Sequence, residues 1–234
     1  MSPLIDKLLQ PSMSIRFQFL FVALLLMLSA PVFLPDAVVE FAVPSLFTVL
    51  ALTALATVAK NRRTLIVGIL LAVPAILIHW IAPSGEPSLA GGISGDLFLI
   101  WVTIAILAHG LRAQRVNSEV LFAVACVYLL LALIWAMGYG IADGLQPGTL
   151  AYPEALLGAT DDPSGRGLHT YFSFVTLTTL GYGDITPVTD AGRLLAMLEA
   201  TLGQLFLVIV VARLVGLHTA QQMGKIARES ESPE

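Results

Sequence analysis

Long apolar stretches separated by short polar segments make up most of this 234-residue chain. Six of them reach or approach the ~20 residues that a helix needs to cross the ~30 Å hydrocarbon core of a bilayer. They lie at residues 17–34, 38–59, 64–82, 93–111, 119–141 and 191–217. A polar loop at 142–167 and a shorter apolar stretch at 168–180 separate the last two. The pattern predicts an all-α membrane protein with six transmembrane helices.

The composition agrees with a membrane location. Hydrophobic residues make up 57% of the chain and charged residues 12%, whereas ordinary soluble domains carry about 25% charged residues. One core could not bury so much apolar surface, so lipid must cover part of it. The single cysteine, Cys126, lies inside an apolar stretch and is expected to be a packed thiol. We find no zinc-ligand spacing, phosphate-binding loop or nucleophile motif, and therefore expect neither enzyme activity nor an organic cofactor.

Basic residues are distributed unevenly between the segments that separate the spans. If the spans alternate in direction, all Lys and Arg residues except Arg166 and Arg193 fall on one side. The residues on that side are Lys7, Arg16, Lys60, Arg62, Arg63, Arg112, Arg115, Arg213, Lys225 and Arg228. Because basic residues concentrate in cytoplasmic segments, both termini are predicted to be cytoplasmic and the protein to lie in the cell membrane. A cleaved signal peptide is the alternative for the first stretch.

The run Thr-Thr-Leu-Gly-Tyr-Gly-Asp at residues 178–184 carries the clearest chemistry. Non-helical backbone at membrane depth is tolerated only where it is buried in protein or lines a water-filled path. If the carbonyl groups of such a strand all point to one side, successive residues must alternate in handedness. Glycine accepts positive φ at little steric cost, which explains Gly181 and Gly183. A ring of carbonyl groups of this kind replaces the water shell of a cation.

A short helix is predicted immediately before this run, over residues 169–179. At about eleven residues it is too short to span the bilayer. Its C-terminus would direct roughly half an elementary negative charge at a cation in the strand. The helix C-terminus and the carbonyl groups of the strand would therefore act together on the same cation. The fold prediction becomes six transmembrane helices plus a re-entrant pore helix and an extended selectivity filter.

Residues 119–218 resemble the pore module of the tetrameric potassium-channel superfamily, most specifically at TLTTLGYGDITP. The resemblance implies an outer helix, a pore helix, a filter and an inner helix, with K⁺ as the permeant ion. The residues implied to bind it are Thr179, Leu180, Gly181, Tyr182 and Gly183, with K⁺ itself held at the first four. The module occurs once in the chain, so four copies must surround the ion path, and a homotetramer embedded in lipid follows. We expect neither nucleic acid nor a small-molecule substrate as a partner.

The resemblance also assigns supporting residues. Asp184 falls where the family ties the filter to aromatic residues of the pore helix, and Tyr171 and Phe172 occupy that place, with only Tyr171 able to offer a hydroxyl. Thr178, directly before the filter, is placed with them. Gly203 falls where an inner-helix gating glycine usually sits, and the next residue, Gln204, would then face the cavity.

Three positions depart from the pattern, and a second Gly-Tyr-Gly run competes with it. Leu180 stands where Val or Ile is usual, and Val175 stands where some members place a carboxylate. Glu199 lies inside the last span, where a charge costs at least ~2.5–3.5 kcal/mol unless it is paired or wet. It is predicted either to have a structural partner, through a hydroxyl or by protonation, or to face the pore in a gating role. A second Gly-Tyr-Gly at 138–140 is interpreted as a helix terminus rather than a filter.

The domain organisation follows from these assignments. Residues 1–16 are predicted to be a cytoplasmic N-terminal segment, 17–116 a four-span domain, 117–218 the pore domain and 219–234 a short cytoplasmic tail. The fourth span contains no Arg or Lys, although steep voltage gating needs several charges that cross the membrane in each subunit. We therefore predict that this span does not sense voltage.

The predicted function is passive, selective K⁺ conduction across the cell membrane. One alternative is a non-selective cation channel of the same fold, against which the complete TLGYGD run argues. Another is a subunit of a coupled potassium transporter, although transporters that resemble this pore generally carry four pore repeats in one chain. A non-conducting regulatory membrane subunit is the third alternative.

Overall fold

The computed structural model describes residues 13–34, 36–58, 62–81, 89–153 and 167–231. These ranges contain helices α1 Met13–Phe33, α2 Asp36–Val58, α3 Arg62–Ile81, α4 Leu89–Arg112, α5 Ser118–Leu145, α6 Leu168–Leu177 and α7 Asp190–Glu231. Two short strands, β1 Leu150–Ala151 and β2 Thr186–Pro187, flank the predicted filter region. Most of residues 1–16, the predicted N-terminal segment, lies outside the described residues.

Four helices in the described part of the chain are long and apolar enough to cross a membrane. Their apolar regions are Phe41–Val58, Leu89–Arg112, Ser118–Leu145 and Asp190–Gly224, and a shorter apolar stretch covers Ile15–Ala30. The protein is therefore a multi-pass, predominantly helical membrane protein. The total of six spans stays a prediction, in which α1 and α3 are the first and third spans.

Helix α5 occupies the centre of the fold and packs against α1, α4, α6 and α7. It begins after Asn117, whose side-chain oxygen accepts a hydrogen bond from the Val120 amide at 3.0 Å. Such an N-cap satisfies one of the amide groups that a helix start leaves unpaired. Cys126 on this helix is a buried free thiol, as predicted.

Small residues allow close helix packing in the four-helix half, which consists of α1 to α4. A Cβ atom added at Gly68 on α3 would lie 2.6 Å from the Trp101 ring of α4. A Cβ atom added at Gly95 on α4 would lie 2.6 Å from the Met137 methyl group of α5. Small residues are common at such contacts between membrane helices, because there dispersion rather than the hydrophobic effect drives association.

The structure corrects two predictions. Helix α5 continues to Leu145, so the second Gly-Tyr-Gly at 138–140 lies inside a helix and the interpretation as a helix terminus was wrong. The all-α prediction also omitted an antiparallel strand pair, in which Leu150 pairs with Pro187 and Ala151 with Thr186. This pair connects the loop after α5 to the segment before α7, and only long-range pairing makes such two-residue strands recognisable.

Helix α7 runs without interruption over 42 residues. At 1.5 Å per residue it is about 63 Å long, roughly twice the hydrocarbon thickness. Residues 219–231 of the predicted tail therefore continue the inner helix.

Candidate functional site

The pore helix α6 ends immediately before the Thr-Thr-Leu-Gly-Tyr-Gly-Asp run. It covers ten residues, Leu168–Leu177, two fewer at its C-terminal end than predicted. The Thr178 hydroxyl donates a hydrogen bond to the Phe174 carbonyl oxygen at 2.6 Å. Helix α6 is about 15 Å long, which is half the hydrocarbon thickness, so it cannot span the bilayer.

The backbone after the helix alternates in handedness. Thr179, Gly181 and Gly183 have φ values of 58°, 59° and 78°, whereas Leu180 and Tyr182 between them do not have positive φ. Thr179 is the one non-glycine residue with positive φ in the described part of the chain. Such a conformation costs of order 1–3 kcal/mol and persists only when its surroundings impose it.

The first three amide groups of the strand at residues 179–183 donate hydrogen bonds back to the pore helix. The Leu180 and Gly181 N–H groups both donate to the Val175 carbonyl oxygen, at 2.9 and 3.2 Å, and the Thr179 N–H donates to Thr176 at 2.9 Å. Within the described part of the chain, no hydrogen bond reaches the carbonyl oxygens of residues 179–182. The amide groups of residues 179–181 therefore bond to the pore helix, whereas the carbonyl oxygens of residues 179–182 accept no hydrogen bond from the described part of the chain.

The inner end of the strand lies against the inner helix. The Gln204 amide nitrogen is 3.2 Å from the Thr179 hydroxyl. A Cβ atom added at Gly203 would lie 2.7 Å from both the carbonyl oxygen and a side-chain methyl group of Leu177. Gly203 therefore lets the backbone of α7 approach the end of α6. This close packing explains a glycine at position 203 without a hinge in α7. The gating role stays a prediction.

Near the C-terminal end of the strand, the two aromatic residues predicted to support the filter have different partners. The Tyr171 hydroxyl donates to Asp184 at 2.6 Å, and the second Asp184 oxygen accepts from the Ile185 amide at 3.0 Å. The hydrogen bond from Tyr171 lowers the pKa of Asp184 below its usual range. Phe172 is buried and packs edge-on against Tyr139 of α5, with 4.9 Å between the ring centroids.

Glu199 lies behind the filter, fully buried between helices. The Tyr139 hydroxyl donates to one carboxyl oxygen at 2.7 Å, and the other oxygen contacts the Ser173 hydroxyl of α6. Of the two predictions, the structural partner through a hydroxyl is confirmed and the pore-facing position is not found. Sequence reasoning missed Tyr139 and Ser173 as partners. The signal for Tyr139 was a tyrosine two residues before the end of the predicted apolar span at 119–141.

A second polar cluster lies between the end of α5 and the start of α6. The His169 ring nitrogen is 3.1 Å from the Tyr152 hydroxyl and 3.5 Å from Asp143. Asp143 also accepts from the Thr149 amide at 2.8 Å. This cluster connects the end of α5, the β1 region and the start of the pore helix, and no sequence motif indicated it.

These features resemble an ion-pore module, and the comparisons with known proteins agree with that resemblance. Residues 166–219, which contain the pore helix, the strand and most of the apolar part of α7, match the family model described as "Ion channel". The match confirms the expected class of protein for this part of the chain.

The chain is also similar to individual potassium channels. It is 32% identical over 137 residues to human voltage-gated potassium channel KCNC3 and 31% identical over 137 residues to mouse voltage-gated potassium channel KCNC1. Both alignments cover 53% of this chain, but only 16% and 24% of those proteins. It is 28% identical over 126 residues to Protein LctB of Bacillus caldotenax, across 54% of this chain and 89% of that protein. The resemblance to the potassium-channel superfamily is thereby confirmed.

Proposed function

We propose that this protein is a potassium-selective ion channel that conducts K⁺ passively across the cell membrane. The observation that carries the proposal is the strand at residues 179–183, which alternates in handedness, donates its first three amide groups to the pore helix and leaves the carbonyl groups of residues 179–182 without a hydrogen bond in the described part of the chain. A dehydrated cation needs such a row of oxygen atoms. K⁺ would bind at Thr179, Leu180, Gly181 and Tyr182, with Gly183 closing the outer end. The mammalian relatives, which are named voltage-gated potassium channels, support K⁺ as the ion.

The proposed channel is a homotetramer, because one strand supplies one side of an ion path. In the single chain, Tyr182 of the strand is 67% exposed, and a row of large apolar side chains on α7 is exposed as well. These are Leu194, Met197, Leu198, Leu202, Leu205, Val208, Ile209, Val211 and Val215. Copies packed around a central axis would cover part of this surface, and lipid would cover the remainder.

The electrostatics favour a cation. The C-terminus of α6 contributes a partial negative charge of roughly half an elementary charge at the strand. Asp184, whose ionised form is stabilised by Tyr171, adds a full negative charge at the outer end. In the proposed topology both termini are cytoplasmic and this end faces the outside.

The proposed channel does not sense voltage through α4. The mammalian relatives are named voltage-gated, but residues 93–111 of α4 contain no Arg or Lys. Each charge that crosses the membrane contributes about 2.3 kcal/mol per 100 mV, so steep gating requires several in each subunit. We expect a conductance in planar bilayers that changes little with voltage. A steep conductance–voltage curve in a chain that also carries Asp96→Asn, the acidic residue of α4, would contradict this part of the proposal.

Flux into liposomes tests the proposal as a whole. The purified chain should give K⁺ flux that barium blocks, with much slower Na⁺ flux. Equal rates for the two ions would indicate the non-selective channel. Absence of barium-sensitive flux would indicate the non-conducting subunit, and flux that requires a second coupled ion would indicate the transporter subunit.

A further inference from the structure

A buried chain of oxygen atoms runs behind the filter through three helices. The Tyr139 hydroxyl of α5 donates to one carboxyl oxygen of Glu199 at 2.7 Å. The other carboxyl oxygen contacts the Ser173 hydroxyl of α6, and Ser173 lies 2.7 Å from the Ala132 carbonyl oxygen of α5. Tyr139, Ser173, Glu199 and Ala132 each have no exposed surface.

The number of hydrogens in this chain fixes the protonation state of the carboxyl group. Three oxygen–oxygen contacts need three hydrogens, and the hydroxyl groups of Tyr139 and Ser173 supply two. The Ala132 carbonyl group has no hydrogen to give, so the Ser173 hydrogen must fill that contact. The contact between Ser173 and Glu199 then needs a hydrogen from the carboxyl group, because an ionised carboxylate can only accept.

The surroundings favour the neutral acid as well. Glu199 takes part in none of the ion pairs between described residues. The ionisable groups near it on α5 are the Tyr139 and Tyr128 hydroxyls, neither of which supplies a positive charge. On α6, His169 lies one turn before Ser173 and contacts Asp143 and Tyr152. A buried carboxylate without a cation is costly, whereas a carboxylic acid with all its hydrogen bonds made is not.

We propose that Glu199 is a neutral carboxylic acid at neutral pH and acts as a positioning residue for the pore helix. Its acid hydrogen donates to Ser173, and Ser173 in turn donates to the Ala132 carbonyl oxygen. This chain ties the middle of α6 to α5 and α7. Two residues after Ser173, the Val175 carbonyl oxygen receives the amide groups of Leu180 and Gly181. Glu199 therefore positions α6, and α6 in turn positions the filter. This positioning role rests on the proposed function.

Infrared spectroscopy of the full chain in lipid at neutral pH tests the protonation state without any ion flux. The difference spectrum between wild type and Glu199→Gln should show loss of the carbonyl stretching band of a protonated acid, and this band should shift in heavy water. Glu119→Gln, which removes a partly exposed carboxyl group 2.7 Å from His109, is the matched control and should remove carboxylate bands instead. Loss of carboxylate bands from Glu199→Gln would overturn the assignment.

Flux measurements on three variants test the positioning role. Glutamine keeps an acceptor for Tyr139 and a donor for Ser173, so Glu199→Gln should retain the K⁺ to Na⁺ flux ratio of wild type. Glu199→Leu keeps the volume but neither hydrogen bond, and should lower the ratio by about tenfold. If Glu199→Leu does not assemble, Ser173→Ala, which interrupts the chain with little loss of volume, should lower it similarly. A wild-type ratio in whichever of these two assembles would overturn the positioning role.

The infrared and the flux measurements together distinguish a failure of this inference from a failure of the proposed function. A wild-type chain without selective K⁺ flux would contradict the proposed function and remove the positioning role with it. The infrared result for the protonation of Glu199 would be unaffected.

Discussion

The pore half of the chain, residues 118–231, and the four-helix half differ in whether side-chain hydrogen bonds between helices are buried or exposed. In α2, the hydroxyl groups of Ser45, Thr48, Thr53 and Thr57 each donate to a carbonyl oxygen four residues earlier in the same helix. In the pore half, the hydroxyl groups of Tyr139 and Ser173 reach other helices, and the Tyr171 hydroxyl reaches Asp184 beyond the filter. A hydroxyl group that donates to its own helix has its hydrogen bond made, but that bond does not fix the position of a neighbouring helix.

The difference indicates how each half is specified. Packing of small and apolar residues, as at Gly68, holds the four-helix half together, and its hydrogen bonds from Trp80 to Thr48 and from Arg16 to the Ala56 carbonyl oxygen are exposed. Buried hydrogen bonds of Tyr139 and Ser173 join helices in the pore half, and such bonds fix positions more strictly than apolar contacts do. We therefore expect the largest effects on ion flux from substitutions in the pore half. The four predictions below run from the largest expected effect to the smallest.

Gly181→Asp should have the largest effect and abolish selective K⁺ flux. Gly181 has φ 59°, in the left-handed region that a side chain disfavours, and the substitution also adds a charge within the carbonyl row. Gly216→Asp, at an α7 glycine with no atom within 4 Å of an added Cβ, is the matched control and should retain selectivity. Liposome flux under K⁺ and Na⁺ gradients measures both variants. Preserved selectivity in Gly181→Asp would refute the filter assignment.

Gly203→Ala should destabilise the pore half by about 1–3 kcal/mol, because its Cβ would lie 2.7 Å from a backbone carbonyl oxygen that cannot move freely. Gly216→Ala should instead stabilise α7 by roughly 0.5–1 kcal/mol, since alanine is the better helix former. Thermal unfolding of both proteins in detergent checks this contrast. Equal effects of the two substitutions would mean that the contact between α7 and Leu177 is not tight.

Arg213→Gln should weaken the connection between the two halves by about 1–2 kcal/mol. The Arg213 guanidinium group donates to the carbonyl oxygens of Leu111 and Ala113, which end α4 and begin the link to α5. Such carbonyl groups have no partner within their own helix. Arg112→Gln, at an exposed position, is the control and should change little. If the two variants unfold at the same temperature, Arg213 does not couple the halves.

Tyr171→Phe should have the smallest effect and raise the pKa of Asp184 toward its ordinary value of ~3.9. In the wild type, the hydrogen bond from Tyr171 lowers this pKa. The contact is therefore complete above the ordinary pKa and is lost as the pH falls through the lowered one. Carbon NMR titration of labelled aspartate measures the shift, and Tyr152→Phe, which removes a hydroxyl that contacts His169 instead, is the control. An unchanged titration in Tyr171→Phe would contradict the cause given for the lowered pKa.

Sequence patterns indicated the apolar helices, the short pore helix and the alternating strand, because each depends on local periodicity or on residues with special backbone freedom. They could not identify the partners of Glu199, since Tyr139 and Ser173 lie 60 and 26 residues away in the chain. The strand pair and the contacts of Arg213 depend on the same kind of distant pairing. For Gly203, the family pattern indicated a glycine, and only the packing against Leu177 supplied a physical reason for it.

The reversal potential under opposed K⁺ and Na⁺ gradients tests the central claim most directly. With the purified chain in a planar bilayer, K⁺ on one side and Na⁺ on the other, we predict a reversal potential that follows the K⁺ gradient. It should move with each change in K⁺ concentration and scarcely respond to changes in Na⁺. A current that reverses where equal permeability to both ions requires would contradict a selective filter at residues 179–183.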